Sequence, residues 1–297
     1  MLKRISYRAA ITDDARAFVK LMNTQYDRKI AVEYFSWQYI HPCEPTVLTC
    51  AFDGADLIGT FGLKIRVLSN GKVAGQAIDM LVAPDYRERG IFGELVRATL
   101  RKVRTQPDLL CVFPNENGRR ALVGSLGWTC VGSIATCFLQ KNDGELRRSE
   151  TAPTLCKTRR TAFEKNDRHL HWRFDDHPHY QYRYVRSDEG LVVTKLYKDP
   201  LSGRQYGDIV DAIFDDPGRP GSYDLFIRAC ADLNKNDIEG VMTWALPGSP
   251  LSDIAVSLGF RQTAQKRHFC VKILDDACRQ LGVLENWDLV PADAEIY

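Results

Sequence analysis

Apolar residues recur along the chain with two periods, and the switches between them mark out elements. After Thr12-Asp13-Asp14, which offers N-cap chemistry, Ala15, Phe18, Val19, Met22 and Tyr26 fall on one helical face. A short strand precedes that helix over 5–10. Apolar runs at 46–52 and 57–68 predict two strands joined at Asp53-Gly54. Asn70-Gly71, a strong hairpin signal, turns the chain into a third at 73–82. A helix is predicted from near Gly90 to about Arg104, with Phe92, Leu95, Val96, Leu100 and Val103 on its apolar stripe. The compact run at 108–113 suits a buried strand. A short helix over 119–126 and two closing strands within 128–140 complete the unit.

The same rhythm then returns, with turns at 188–190 and 201–204 and a helix at 222–234. Local matches keep register with it. Trp37-Gln38-Tyr39-Ile40-His41-Pro42 is echoed by Trp172-Arg173-Phe174-Asp175-Asp176-His177-Pro178, 135 residues on. Ile78-Asp79 is echoed by Val210-Asp211, and Ser125-Leu126-Gly127-Trp128 by Ser257-Leu258-Gly259-Phe260, each 132 residues on. Matches in one order at nearly constant offset point to two copies of one architecture. The stretch 142–168, rich in Lys, Arg, Glu, Asn and Thr, reads as the linker, which divides the chain at 1–145 and 150–297. The fold class is α/β (α+β), with a mixed, mostly antiparallel sheet flanked by helices in each copy.

Composition narrows the function classes. The 297 residues are 44% hydrophobic and 26% charged, which supports a real core. A net charge of +2 is too mild to announce nucleic acid as a partner. The start lacks the apolar run of a signal peptide, and no 18-residue apolar stretch suggests membrane insertion. Nine scattered cysteines with no C-x-x-C favour neither a disulfide framework nor a zinc site, and fit a cytoplasmic protein.

One segment carries chemistry. Leu81-Val82-Ala83-Pro84-Asp85-Tyr86-Arg87-Glu88-Arg89-Gly90-Ile91-Phe92-Gly93 ends a strand at a proline and opens into an amphipathic helix. The first turn of a helix leaves N–H groups unpaired at the positive end of its dipole, which favours anions. Glycine permits close backbone approach, and Arg87 and Arg89 add donors suited to phosphate. The segment resembles motif A of the GCN5-related N-acetyltransferases, a strand and V-x-P followed by [Q/R]-x-x-G-x-[G/A] and a helix. Val82-Ala83-Pro84 and Arg87-Glu88-Arg89-Gly90-Ile91 match in order and spacing, whereas Phe92 stands where the pattern has Gly or Ala. The Asn-rich Phe113-Pro114-Asn115-Glu116-Asn117 and the tandem layout resemble this family too, in the type linked to amino sugars and surface polysaccharides.

The resemblance implies acetyl-CoA as acyl donor, no metal, and direct attack of a small-molecule amine on the thioester. Backbone N–H groups at Leu81 and Val82 would stabilise the oxyanion. Arg87, Glu88, Arg89, Gly90, Ile91, Phe92 and Gly93 would hold the pyrophosphate, with Asn117 a further coenzyme contact. Asp79, three residues before Val82, is the first choice for the base; a structural carboxylate, like its counterpart Asp211, is the equal alternative. The family's tyrosine acid falls at Val123, so Tyr86, another group or water must serve.

Other features have blander readings. His169, His171, His177 and His179 lack the spacing of a metal site and suggest a structural corner or pocket wall. Cys111 and Cys130 read as small buried hydrophobes. The tail from Asn286, with Trp287, Asp288, Asp293 and Glu295, either reaches the first copy's site or frays. The segment Phe214-Asp215-Asp216-Pro217-Gly218-Arg219-Pro220-Gly221-Ser222 occupies the motif A position of the second copy with acids and prolines, which suits no coenzyme. Two other functions compete: a non-catalytic acyl-CoA or ligand binder, and an aminoacyl-tRNA-dependent transferase, which predicts a basic groove and no phosphate turn.

Overall fold

The computed structural model describes residues 5–25, 29–141, 160–216 and 219–294. Tyr26, most of the linker, Pro217, Gly218 and Glu295 lie outside the described residues. The first half begins with β1 (Ser6–Ala9), α1 (Ala15–Gln25) and the single turn α2 (Val32–Phe35). Next come β2 (Thr46–Asp53), β3 (Asp56–Val67), β4 (Val73–Val82), α3 (Ile91–Leu100), β5 (Leu109–Val112), α4 (Glu116–Leu126) and β6 (Thr129–Gln140). The second half runs α5 (Asp167–Leu170), β7 (Tyr182–Ser187), β8 (Gly190–Lys198), β9 (Gln205–Phe214), α6 (Pro220–Asn234), β10 (Gly240–Ala245), α7 (Pro250–Ser257) and β11 (Arg261–Ile273).

All eleven strands join one sheet in the order β1-β2-β3-β4-β5-β11-β6-β10-β9-β8-β7. The two halves exchange their last strands. β11, from the second half, pairs with β5 of the first, and β6, from the first half, pairs with β10 of the second. The sequence predicts two closing strands within 128–140; one continuous strand of twelve residues stands there instead. Its partners lie 100 residues or more away in the chain, so no local hairpin is needed to satisfy its backbone. Pairing is antiparallel except at β4–β5 and β9–β10.

Side chains sort by the period of two. In β2, Leu48, Cys50 and Phe52 face α1 and α2, while Ala51 faces α3. On the first face Phe18 of α1 is fully buried, worth about 2–3 kcal/mol as a transfer term. On the other, Leu95 of α3 packs against Phe61, Leu63 and Ile65. Helix α3 ends at Leu100, four residues before the predicted end, as Val103 turns inward to the core. Helix α4 starts three residues earlier than predicted because Asn115 caps it, its side chain accepting from Gly118 N.

The two tryptophan segments meet at the centre. Each lies in a π-helical turn, Ser36–Ile40 and His171–Asp175. Trp37 and Trp172 stack at 4.2 Å and 5°, and each indole N–H donates to the other's carbonyl, at 2.9 and 3.3 Å. A reciprocal contact of this kind is what a pseudo-two-fold relation between the halves produces. The end of the linker also belongs to the core: Phe163 is buried, and bridges tie Thr161 to Trp287 and Leu68 to Phe163.

Candidate functional site

Strands β4 and β5 run parallel and pair only from Ala74–Leu109 to Gln76–Cys111. Beyond that point the β5-facing edge of 77–82 is unpaired among the described strands, which leaves a notch in the sheet. Opposite it, a bulge interrupts the β3–β4 ladder between Thr60 and Gly62. Asp79 sits in that bulge at φ 45°, a conformation costly for a non-glycine residue and found where geometry is imposed by function. Its carboxylate accepts from Tyr39 Oη at 2.5 Å and from Tyr34 Oη at 3.2 and 3.3 Å. Thr60 Oγ1 donates to the Asp79 carbonyl at 2.8 Å. Gly62 makes the arrangement possible, because a Cβ there would lie 2.7 Å from both Tyr39 Oη and Ile78 Cγ1. Tyr34 and Tyr39 escaped the sequence reading: they stand 45 and 40 residues before Asp79, and no local pattern links them to it.

The turn that follows β4 leaves the first backbone donors of α3 without a capping side chain. Pro84–Tyr86 forms one 3-10 turn, then Glu88 and Gly90 take left-handed conformations at φ 62° and 75°. Gly90 is the N-cap of α3 and provides no side-chain cap, so the first-turn N–H groups of Ile91, Phe92 and Gly93 have no intrahelical partner. A Cβ on Gly90 would meet nothing within 4 Å, and Arg87, Glu88, Arg89 and Gly90 are exposed. Phe92 turns its ring inward, edge-on to Phe61 at 5.8 Å, which leaves its backbone at the helix mouth. Arg87 donates to Val82 O at 3.1 Å and Gln25 Oε1 at 3.0 Å, and Arg89 lies 5.3 Å over the Tyr86 ring. Leu81 is buried and Val82 half-buried at the strand end.

Other sequence candidates fall elsewhere. Tyr86 donates to Asp53 Oδ2 at 2.8 Å, and that hydrogen bond raises its pKa, so its proton is committed away from Asp79. Asn117 is exposed in the first turn of α4. Val123 is 41% exposed, with no acid to offer. Burial pushes the Cys111 thiol up to about 12, which leaves it inert. Cys130 is half-buried.

The histidines work singly. His177 packs on Trp37 at 4.7 Å, His179 stacks on Tyr34 at 6.1 Å, and His171 pairs with Asp175. His169 Nδ1 lies 2.5 Å from Glu44 Oε1, with Cys43 close by in a cluster of metal-ligating atoms. Burial alone would raise the pKa of Glu44, but the His169 hydrogen bond and the charges of Lys64 and Arg66 prevail and hold it at about 2. Those cations oppose a metal ion in the cluster.

The tail does not fray before residue 294. Its Asp293 is buried, 3.7 Å from Arg66 Nη1 and 3.2 Å from Lys165 Nζ, while Gln76 Nε2 donates to its carbonyl at 2.6 Å. Lys165 also reaches Asp211 at 2.8 Å, so the counterpart of Asp79 is a structural ion-pair partner. In the second half, Arg219 stands at the N-cap position of α6 without a side-chain cap, Pro220 removes a donor, and Ser222 Oγ donates to Asp216 O. Glu189 crowds that helix start, where a Cβ on Gly221 would lie 2.5 Å from its Cγ. The second notch is bridged as well, Thr243 Oγ1 donating to Ile209 O at 3.0 Å.

No protein-family model matches the sequence, nor does any curated protein. Solved structures do. A GCN5-related N-acetyltransferase from Kribbella flavida is 12% identical with a TM-score of 0.64, over 92% of this chain and 72% of that one. Another from Anabaena variabilis is 12% identical with a TM-score of 0.65, over 94% and 74%. The glucosamine N-acetyltransferase region of a fungal GH3 β-N-acetylglucosaminidase is 12% identical with a TM-score of 0.59, over 92% of this chain and 38% of that protein. These likenesses show that the chain has the fold of the GCN5-related N-acetyltransferases.

Proposed function

We propose that the chain is an acyltransferase that moves an acetyl group from acetyl-CoA to a primary amine, residues 1–145 holding the coenzyme and residues 150–297 walling the acceptor. The observation that carries this reading is the continuity of β4, which leads from Asp79 in its bulge directly into an uncapped helix mouth flanked by Arg87 and Arg89. A pyrophosphate fits there: the first-turn N–H groups of α3 are donors without a capping side chain, and Gly90 leaves the approach open.

The amine attacks the thioester carbonyl; a C–N bond forms, the C–S bond breaks, and one proton leaves the nitrogen. Asp79 takes that proton, a role worth about 10²–10⁴ in rate. The backbone N–H of Val82 faces the notch as a donor to the oxyanion, about 10²–10³ for such a donor, whereas the register turns the Leu81 N–H towards β3. Tyr39, 2.5 Å from Asp79, is a phenol next to the reacting carboxylate and supplies the acid that Val123 lacks. The acceptor class we favour is an amino sugar, supported by the likeness to the fungal glucosamine N-acetyltransferase region. With its described cysteines free, the protein suits the cytoplasm.

Thiol release from acetyl-CoA in the presence of glucosamine and a panel of amines tests the proposal. Amine-dependent release lost in Asp79→Asn supports it. Coenzyme binding without release for any amine favours a non-catalytic acyl-CoA binder, the reading that Val123 motivates.

A further inference from the structure

The strands exchanged between the halves carry a second constellation, which uses neither Asp79 nor the residues of the 84–93 turn. Ser133 on β6 and His268 on β11 stand directly opposite each other in the antiparallel register, with Ser133 Oγ 2.8 Å from His268 Nδ1. The other ring nitrogen, Nε2, lies 3.0 Å from Glu116 Oε2 at the start of α4. Hydrogen bonds from Arg119 and Arg120 hold Glu116 in place and its pKa at about 2, against a smaller desolvation effect. The Nε2 contact is an ion-pair distance rather than a hydrogen bond; with the ring proton on Nε2, beside this carboxylate, Nδ1 accepts from the Ser133 hydroxyl.

Hydroxyl, imidazole and orienting carboxylate in this order are the arrangement that activates a serine. The hydroxyl is also accessible: Ser133 is exposed and the His268 side chain is 26% exposed. It exists only because of the strand exchange, which places a residue of each half side by side. We propose that Ser133 is an activated nucleophile that accepts acyl groups from small carboxylic esters or thioesters. Ser133 Oγ attacks the acyl carbon while His268 Nδ1 takes its proton. The bond to the leaving alcohol or thiol breaks, and His268 returns the proton to that group. Water, deprotonated by the same ring, then hydrolyses the acyl-serine and releases the carboxylic acid. The activity is independent of amine acetylation.

A fluorophosphonate probe on the intact chain tests this without any coenzyme. It forms a P–O bond to an activated serine and expels fluoride. We expect an adduct that maps to Ser133, absent in Ser133→Ala, formed about 10²-fold more slowly in His268→Asn and more slowly in Glu116→Gln. Slow hydrolysis of p-nitrophenyl acetate should follow the same order. Far-UV circular dichroism confirms that each variant is folded. No adduct at Ser133, or an adduct formed equally fast in folded His268→Asn, would reduce the trio to a hydrogen-bonded surface cluster and overturn the proposal.

Discussion

The two halves share an architecture, yet their notches have opposite fates. In the first, the helix after β4 opens on Gly90 with arginines around it and no capping side chain. In the second, the helix after β9 opens on Arg219-Pro220, is crowded by Glu189, and the notch beside it is bridged by Thr243. The opposite sheet face differs as well. Lys64 pairs across the ladder with Gln76, and in the second half Lys195 pairs at the same place with Asp208. Over the first pair lies the buried tail, with Asp293 engaging Gln76; over the second lies a cavity of about 340 Å³, walled by Tyr180, Trp244 and Arg267. A chain has one C-terminal tail and so can fill one of two equivalent cradles. The two helix starts therefore differ in the donors they leave open, and the proposed phosphate site rests on that difference.

The largest effects are expected at Asp79 and at its counterpart Asp211, which pairs with Val193 in the β8–β9 ladder. Asp79→Asn should lower turnover by about 10²–10⁴ and leave coenzyme binding in place, which steady-state kinetics and calorimetry read separately. Asp211 is an ion-pair partner, so its loss should register in stability first. Next in size is the tail. Asp293→Ala removes one carboxylate from a buried cluster in which Arg66 keeps Glu44 and Lys165 keeps Asp211, and should cost up to about 3–5 kcal/mol in urea unfolding.

The Asp208 cradle should show itself in pH dependence. Burial raises the Asp208 pKa to about 6, against a lowering by Lys195. An unfolded aspartate titrates near 3.9, so between these values the folded state binds the extra proton, and stability falls as pH rises from about 4 to about 6. The fall is at most roughly 3 kcal/mol, and Asp208→Asn should remove that slope in unfolding curves taken across the range. The smallest effect belongs to Gly62→Ala. The added methyl presses on Ile78 and on Tyr39 Oη, which should cost about 1–3 kcal/mol and weaken the Tyr39–Asp79 hydrogen bond.

Much of this was legible in the sequence where the signal was local. The Asn70-Gly71 hairpin, the limits of β4 and the turn into α3 each follow from residues within one element of each other. The two tryptophan segments, matched in the sequence, do meet in the structure. What the sequence did not show was set by long-range pairing. Nothing within 128–140 says that its partners are β10 and β11, so a local hairpin is predicted where a single strand crosses to the other half. Tyr34 and Tyr39 reach Asp79 through a π-helical turn that has no simple periodicity, and Asp79's left-handed backbone arises from the bulge rather than from its own preference. Phe163 was read as linker because its neighbours are polar, though its ring is core.

The proposed function stands on the 84–93 turn as the coenzyme cradle and on its second-half counterpart as no cradle at all. Isothermal titration with acetyl-CoA addresses it most directly, using the intact protein, the Arg87→Ala, Arg89→Ala double variant and Arg219→Ala. With charge-assisted hydrogen bonds worth about 1.5–3 kcal/mol each, the double variant should bind at least about 10-fold more weakly, and Arg219→Ala should bind like the parent at one site. Absence of binding to the intact protein, or equal affinity in the double variant, would contradict the account.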